Sequence, residues 1–248
     1  MKISIVPYWN DNYAYIITDQ KSGQIGIVDP VDIKKVIQAT SEFNLPIKYL
    51  LTTHHHADHA SGNEEAAKLI PGLTIYGGDE RVPAMTNHLK GGEVFNIGSL
   101  NVTAIRTHGH TDSSISYFVQ DGDEKALFSG DTLFVAGCGR LFEGTPQQMY
   151  ESLNVKFAHL PKDTKVYAGH EYTNSNIRFA LSVDKDNQKL QQKAQQYSTM
   201  KITMPSTIQN ELDINPFMRV NQPALQKVTG ETDPVKVLAA LRAMKDRF

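Results

Sequence analysis

The chain has one cysteine, Cys138, and one tryptophan, Trp9, among 248 residues. A single cysteine excludes an internal disulfide and fits a reducing compartment. No run approaches the ~20 consecutive apolar residues of a membrane span. The first residues lack a secretory h-region, and Lys2 to Val6 reads as an opening strand. An excess of one charge is missing too: the formal net charge is −2, with no block of like charge. Neither a nucleic acid nor a membrane is therefore expected as a partner. Repeats and low-complexity segments are absent, and Gln191-Gln192 with Gln195-Gln196 reads as a polar helix face. The expectation is a soluble, cytoplasmic, monomeric protein, long enough for one large domain and a small one.

What is present is histidine in a particular pattern. Residues 54–59 read His-His-His-Ala-Asp-His, so His54, His56, Asp58 and His59 form HxHxDH. One loop thus carries ligands enough for two metal ions. It follows the apolar run Ile47 to Thr53, a predicted strand, and precedes a predicted helix over Ala60 to Ile70. Rigid elements on both sides suit an open metal site, and His54 and His56 share a side if the chain is extended there. Three more segments place a metal-capable side chain just after a short strand. They are His108-Gly109-His110 after Asn101 to Arg106, Gly130-Asp131 after Lys125 to Ser129, and Gly169-His170 after Thr164 to Ala168. A surface histidine cluster would not repeat at four strand ends. Cys138, between Gly137 and Gly139, reads as a small packed residue rather than a nucleophile.

Further strands are expected at Tyr13 to Thr18, Gln24 to Val28, Leu73 to Tyr76 and Ser116 to Gln120. Helices are expected at Val31 to Glu42, Glu64 to Ile70 and Pro146 to Ala158. This mixture predicts an α/β fold with two packed sheets covered by helices. From Thr173 onward strand signals vanish. Ile177, Leu181, Leu190, Ala194 and Tyr197, then Val235, Leu238, Leu241 and Met244, recur at helical spacing. The expected organisation is a catalytic domain over 1–172 and a helical substrate-binding domain over 173–248.

In order and spacing, HxHxDH, Gly109-His110-Thr111, Gly130-Asp131-Thr132 and Gly169-His170 resemble the metallo-β-lactamase fold family. Gly137-Cys138-Gly139-Arg140, His170-Glu171-Tyr172-Thr173, Asn215-Pro216-Phe217 and Lys245-Asp246-Arg247-Phe248 narrow the resemblance to glyoxalase II, the hydroxyacylglutathione hydrolases. It runs nearly end to end. It implies an αββα sandwich with a small C-terminal helical domain and a binuclear site. One ion would take His54, His56 and His110, the other Asp58, His59 and His170, with Asp131 bridging. Zinc is favoured by the imidazoles, while iron or manganese would also be accepted. Asp29 reads either as a group orienting a ligand or as a strand-end turn residue. His55 and His108 match no ligand position.

The implied reaction is hydrolysis of S-2-hydroxyacylglutathione thioesters, S-D-lactoylglutathione to D-lactate and glutathione, the second step of methylglyoxal detoxification. Asp58 would orient the nucleophile and take its proton. Arg140, Tyr172, Asn176, Arg242 and Lys245 would bind the small-molecule thioester, the last pair sharing a helix face. Arg140 stands where relatives often have lysine, Phe142 where some have tyrosine, and Thr111-Asp112-Ser113-Ser114 replaces a frequent Gly-His pair. Two other readings are a glutathione persulfide dioxygenase of the same fold and a non-catalytic glutathione-conjugate binding module. The full ligand set and the long C-terminal portion argue against the first, and a ligand set that leaves room for water argues against the second.

Overall fold

The structure is a computed structural model that describes residues 1–248. It divides into two compact units, residues 1–106 with 113–130, and residues 107–112 with 131–248.

The first unit is built on two sheets. Strands β1 (Lys2–Tyr8), β2 (Asn12–Asp19) and β3 (Gln24–Val28) are antiparallel. β4 (Ile47–Leu51), β5 (Thr74–Gly77) and β6 (Asn87–His88) continue the sheet in parallel. Within the second sheet, β7 (Val94–Ile97), β8 (Leu100–Arg106), β9 (Ile115–Asp121) and β10 (Glu124–Gly130) form an antiparallel meander. The all-buried pattern of β2 follows from cover on both faces. Ala14 and Ile16 pack with Ile33 and Val36 of α1 (Ile33–Thr40) and Ala66 of α3 (Asn63–Leu69). On the opposite face the Tyr15 ring lies 5.4 Å from that of Phe128, and Tyr76 stacks on Phe95 at 4.1 Å. Burying a side chain such as Leu50 or Ile27 completely contributes ~1.5–3 kcal/mol. Asp32 caps α1 by accepting from the Lys35 amide at 3.1 Å.

The helix expected over Ala60 to Ile70 is interrupted. A single turn, α2 (Ala57–Ala60), ends before α3 begins. Gly62 lies in the break because the chain passes very close to Pro30: a Cβ there would sit 1.8 Å from the Pro30 carbonyl oxygen. This approach brings the turn carrying Asp58 and His59 against the segment that follows β3.

The second unit is mainly helical. It opens with the hairpin β11 (Leu133–Phe134) and β12 (Gly137–Cys138), so Cys138 belongs to a short strand rather than a plain loop. Helix α4 (Pro146–Tyr150) starts with a Thr145/Gln148 capping box. The helix expected to reach Ala158 instead widens into a π turn over Glu151–Lys156. There Ser152 donates to the His108 carbonyl at 2.7 Å and Asn154 to the Phe217 carbonyl at 3.0 Å. These inward side chains compete with regular α geometry. Strand β13 (Lys165–Ala168) pairs with β14 (Ser206–Thr207), a two-residue strand too short to show in the sequence pattern. The remaining helices are α5 (Thr173–Val183), α6 (Gln188–Tyr197), α7 (Ile208–Ile214), α8 (Pro223–Thr229) and α9 (Pro234–Asp246). Leu190, Ile214, Leu225, Leu238 and Leu241 are fully buried among them, and Phe179 stacks on Phe217 at 6.0 Å.

Replacing Gly62 with alanine is expected to force the Pro30 carbonyl away and lower stability by ~1–3 kcal/mol. Urea denaturation of the G62A variant checks this, and an unchanged midpoint would contradict it.

Candidate metal centre

Each unit contributes His and Asp side chains that could hold a metal ion. In the first unit they lie just beyond β4. The His54 and His59 rings have centroids 4.2 Å apart, and His54 Nε2 lies 3.1 Å from His56 Nδ1. Asp58 Oδ2 is 3.7 Å from His59 Nε2. The loop thus gathers His54, His56, Asp58 and His59.

One carboxylate organises this loop. Asp29 is buried, with a left-handed φ of 48°. Its Oδ1 accepts the Thr53 amide at 2.8 Å, and its Oδ2 accepts the Thr53 hydroxyl at 2.6 Å. The same Oδ2 lies 3.0 Å from His59 Nδ1. An acceptor-only carboxylate requires His59 Nδ1 to carry the hydrogen, which leaves a lone pair on Nε2. Because the Thr53 hydroxyl donates to Asp29, its oxygen accepts from His54 Nδ1 at 3.0 Å. The hydrogen on His54 Nδ1 puts the ring's lone pair on Nε2, the atom 3.1 Å from His56 Nδ1. Of the two readings of Asp29, the structure supports the one that orients ligands. Asn12, which no sequence signal marked, donates to the Asp58 carbonyl at 3.1 Å and to its Oδ2 at 3.4 Å.

In the second unit, Asp131 Oδ2 lies 3.5 Å from His110 Nε2 and 3.4 Å from His170 Nε2. One carboxylate oxygen thus sits between two imidazole nitrogens. His110 Nδ1 donates to the Arg140 carbonyl at 2.9 Å, so its Nε2 too has a lone pair. Gly139 makes room for this: a Cβ there would fall 2.1 Å from the Asp131 carbonyl oxygen and 2.8 Å from His110 Nδ1.

These separations test the fit of a metal. Ligand atoms ~2.0–2.1 Å from a tetrahedral ion lie ~3.3–3.4 Å apart, longer than an ordinary hydrogen bond. The spacings around Asp131 match that edge length, and the three deduced tautomers aim lone pairs as ligands require. The donor set fits divalent metal.

A cavity of about 610 Å³ opens in the second unit, and both His110 and Asp131 line it. The expected substrate contacts Arg140, Tyr172, Asn176, Arg242 and Lys245 line it as well. They differ in what already holds them. Tyr172 stacks on His170 with rings 4.6 Å apart and 7° from parallel. Asn176 is buried and donates to the Val135 carbonyl at 2.9 Å, so part of its capacity braces the hairpin. Arg242 is buried beneath the wall; it donates to the Cys138 carbonyl at 2.8 Å and pairs with Asp246 at 3.0 Å. Arg140 is exposed, 3.6 Å from the same Asp246. Burial, with the Arg242 charge adding to it, lowers the Lys245 ammonium to about 8. Burial also pushes the Cys138 thiol up, more than nearby Arg242 lowers it, so the thiol stays protonated and packed. Phe142 is exposed and meets the His110 ring edge-on at 5.3 Å. His55 is half-buried, its Nδ1 3.4 Å from Asp79, and His108 engages Ser152 through its carbonyl.

The hairpin between Asp131 and Arg140 is braced from α7. Glu211 is fully buried and accepts the Ala136 amide at 2.8 Å and Asn215 at 3.0 Å, as well as Ser206. Burial raises its pKa, and these donors offset part of the rise. Asn215 also donates to the Phe134 and Gly137 carbonyls at 3.2 and 3.0 Å.

Residues 29–170 match the metallo-beta-lactamase superfamily, and residues 171–248 match the hydroxyacylglutathione hydrolase C-terminus. The chain is 46% identical to "Hydroxyacylglutathione hydrolase cytoplasmic" of Arabidopsis thaliana, over 100% of this chain and 99% of that protein. It is 41% identical to the hydroxyacylglutathione hydrolase of Synechococcus sp. (strain JA-2-3B'a(2-13)), over 100% of both. Among solved structures it is similar to ETHE1 from Myxococcus xanthus, with a TM-score of 0.71 and 25% identity over 99% of this chain and 98% of that one. The fold is that of the metallo-beta-lactamases, with mixed α/β sheets and a helical C-terminal region. Clustered His and Asp donors, their matching separations and two contiguous family matches agree: the chain belongs to the hydroxyacylglutathione hydrolases of the metallo-beta-lactamase superfamily.

Proposed function

We propose that this protein is a thiolester hydrolase that converts S-2-hydroxyacylglutathiones, S-D-lactoylglutathione first among them, to the hydroxy acid and glutathione. The carrying observation is that one cavity is lined both by metal-ligating His110 and Asp131 and by the cationic side chains Arg140, Arg242 and Lys245. A thioester bearing two carboxylates needs both: cations for those carboxylates and a Lewis-acidic centre for its carbonyl. Family membership supports the same reading.

His54, His56 and His110 would hold one divalent ion and Asp58, His59 and His170 a second, with Asp131 shared between them. Zinc suits so many imidazoles, and the carboxylates also accept iron or manganese. When bound, such a pair supplies hydroxide near neutral pH and polarises the substrate carbonyl. The protein's own groups do the rest. Asp29 and Thr53 set the His59 and His54 tautomers. Asn12 steadies the Asp58 carboxylate, which orients the nucleophile and accepts its proton. The leaving thiol, with a pKa around 8.5, departs as thiolate and needs no dedicated acid. Residues 173–248 serve as the substrate-binding domain of a monomeric, cytosolic enzyme. No helix is long and apolar enough to cross a membrane, and the Arabidopsis relative carries the word cytoplasmic in its name.

Loss of thioester absorbance from S-D-lactoylglutathione tests the reaction. Wild type should turn over and Asp131→Ala should not, at matched metal supply. Asp58→Asn should lose most turnover, and unchanged turnover at intact metal content would sink that role; no hydrolysis by metal-loaded wild type would remove the proposal. Asp29→Ala should weaken metal binding by ~10–100-fold, as removal of a carboxylate behind a ligating histidine does. Competition with a chromogenic chelator measures this. Removing both charges with Arg242→Gln and Lys245→Gln should raise KM several-fold or more. The Lys245 ammonium binds a carboxylate only when protonated, so KM should also climb as pH rises through about 8. A pH profile of KM for Lys245→Arg, which stays charged, should be flat in that range.

A further inference from the structure

Four cationic side chains line the cavity, and they are not equally available. Asp246 is shared by two of them, 3.0 Å from Arg242 and 3.6 Å from Arg140. Arg242 spends a further donor on the Cys138 carbonyl, and its guanidinium lies over the Phe217 ring at 5.4 Å. The Lys245 ammonium lies over the Phe179 ring at 5.4 Å. The fourth is Arg178, on α5, which the sequence reading did not single out. It is exposed and lines the cavity, with no ion pair or hydrogen bond to any protein group. Ser175 lines the same wall one helical turn earlier. The i, i+3 spacing puts the Ser175 hydroxyl and the Arg178 guanidinium on one face of α5.

An exposed arginine is ordinarily just solvated. Here the position argues for more. Helix α5 begins at Thr173, directly after Tyr172, so Arg178 stands ~9 Å along the helix from the edge of the donor cluster at ~1.5 Å per residue. That is the scale of a peptidic thiol reaching away from its sulfur. Such a ligand carries two carboxylates, and a fork of guanidinium donors beside a hydroxyl matches one of them. The Arg242–Lys245 side of the cavity would take the other. Phe142, exposed in the same cavity, offers no polar group, so polar recognition falls on the other lining side chains.

We propose that Arg178, with Ser175, forms a second carboxylate subsite that makes the enzyme select a peptidic thiol with two carboxylates over carriers with one. This rests on the glutathione reading of the cavity, and its test separates the two. The probes are S-methylglutathione, an uncleavable thioether, and its two monoamides, in which one carboxylate or the other is made neutral. Binding to metal-loaded wild type, Arg178→Gln and Arg178→Lys is measured by calorimetry, alongside kcat and KM for S-D-lactoylglutathione.

Arg178→Gln should weaken the parent thioether about tenfold and raise KM similarly at unchanged kcat. It should leave the affinity for one monoamide unaltered, because the charge Arg178 meets is already gone; Arg178→Lys should recover part of the loss. That monoamide identifies which carboxylate the subsite holds. Equal weakening of all three probes, no weakening of any, or a fall in kcat alone would overturn the proposal. A wild type that binds the thioether through Arg178 yet fails to hydrolyse the thioester would leave this subsite standing and remove the hydrolase reading instead.

Discussion

One buried carboxylate sets the state of two ligands at once. Asp29 accepts the Thr53 amide and hydroxyl and faces His59 Nδ1, and through Thr53 it also governs His54. Taking a carboxylate out of water costs several kcal/mol unless strong donors replace the lost hydration. Three donors do so here. The same bonds clamp the beginning of the metal loop to its end, because Thr53 precedes the HxHxDH run and His59 closes it. Backbone geometry is adjusted to allow this: Asp29 takes a left-handed φ, and Gly62 lets the turn press against Pro30. A buried side chain thus decides which ring nitrogens of His54 and His59 keep their lone pairs.

The second unit solves the matching problem with more parts. Asp131 lies between His110 and His170, and the chain leaving it must turn sharply to deliver the Arg140 carbonyl to His110 Nδ1. The short hairpin that makes this turn has two ladder pairs only, too few to hold itself. Glu211, Asn215 and Asn176 supply what is missing by taking up its amide and carbonyl groups. Residues of the helical part, from α5 and from α7 and its end, therefore hold the turn that carries the Arg140 carbonyl to His110.

The clustered donors were legible from residue type, because few other roles gather three imidazoles and an aspartate within six residues and then strand-end His and Asp. Core strands such as β2 and β3 were equally visible through their apolar runs. What stayed hidden depended on contacts between distant segments. Asn12 reaches Asp58 across forty-six residues and Glu211 reaches Ala136 across seventy-five, and neither asparagine nor glutamate is unusual where it stands. The break at Gly62 and the π turn after Tyr150 were missed for the same reason, since helical periodicity continues through both. Arg178 was passed over because an arginine on a helix surface looks solvated until the cavity beside it is seen.

The path of the chain carries a consequence for how such a protein can change. Residues 107–112 belong to the second unit although residues on both sides of them belong to the first, and the chain passes into the second unit again after Gly130. The polypeptide therefore crosses between its two bodies three times. No single cut yields two self-contained pieces: an incision near residue 172 would leave His110 and Asp131 upstream while removing Glu211 and Asn215, which brace the turn beyond them. Recombination that swapped the helical tail as a cassette would discard the scaffold of the donors it left behind. New carriers are more readily acquired through point changes on the cavity wall than by exchange of modules.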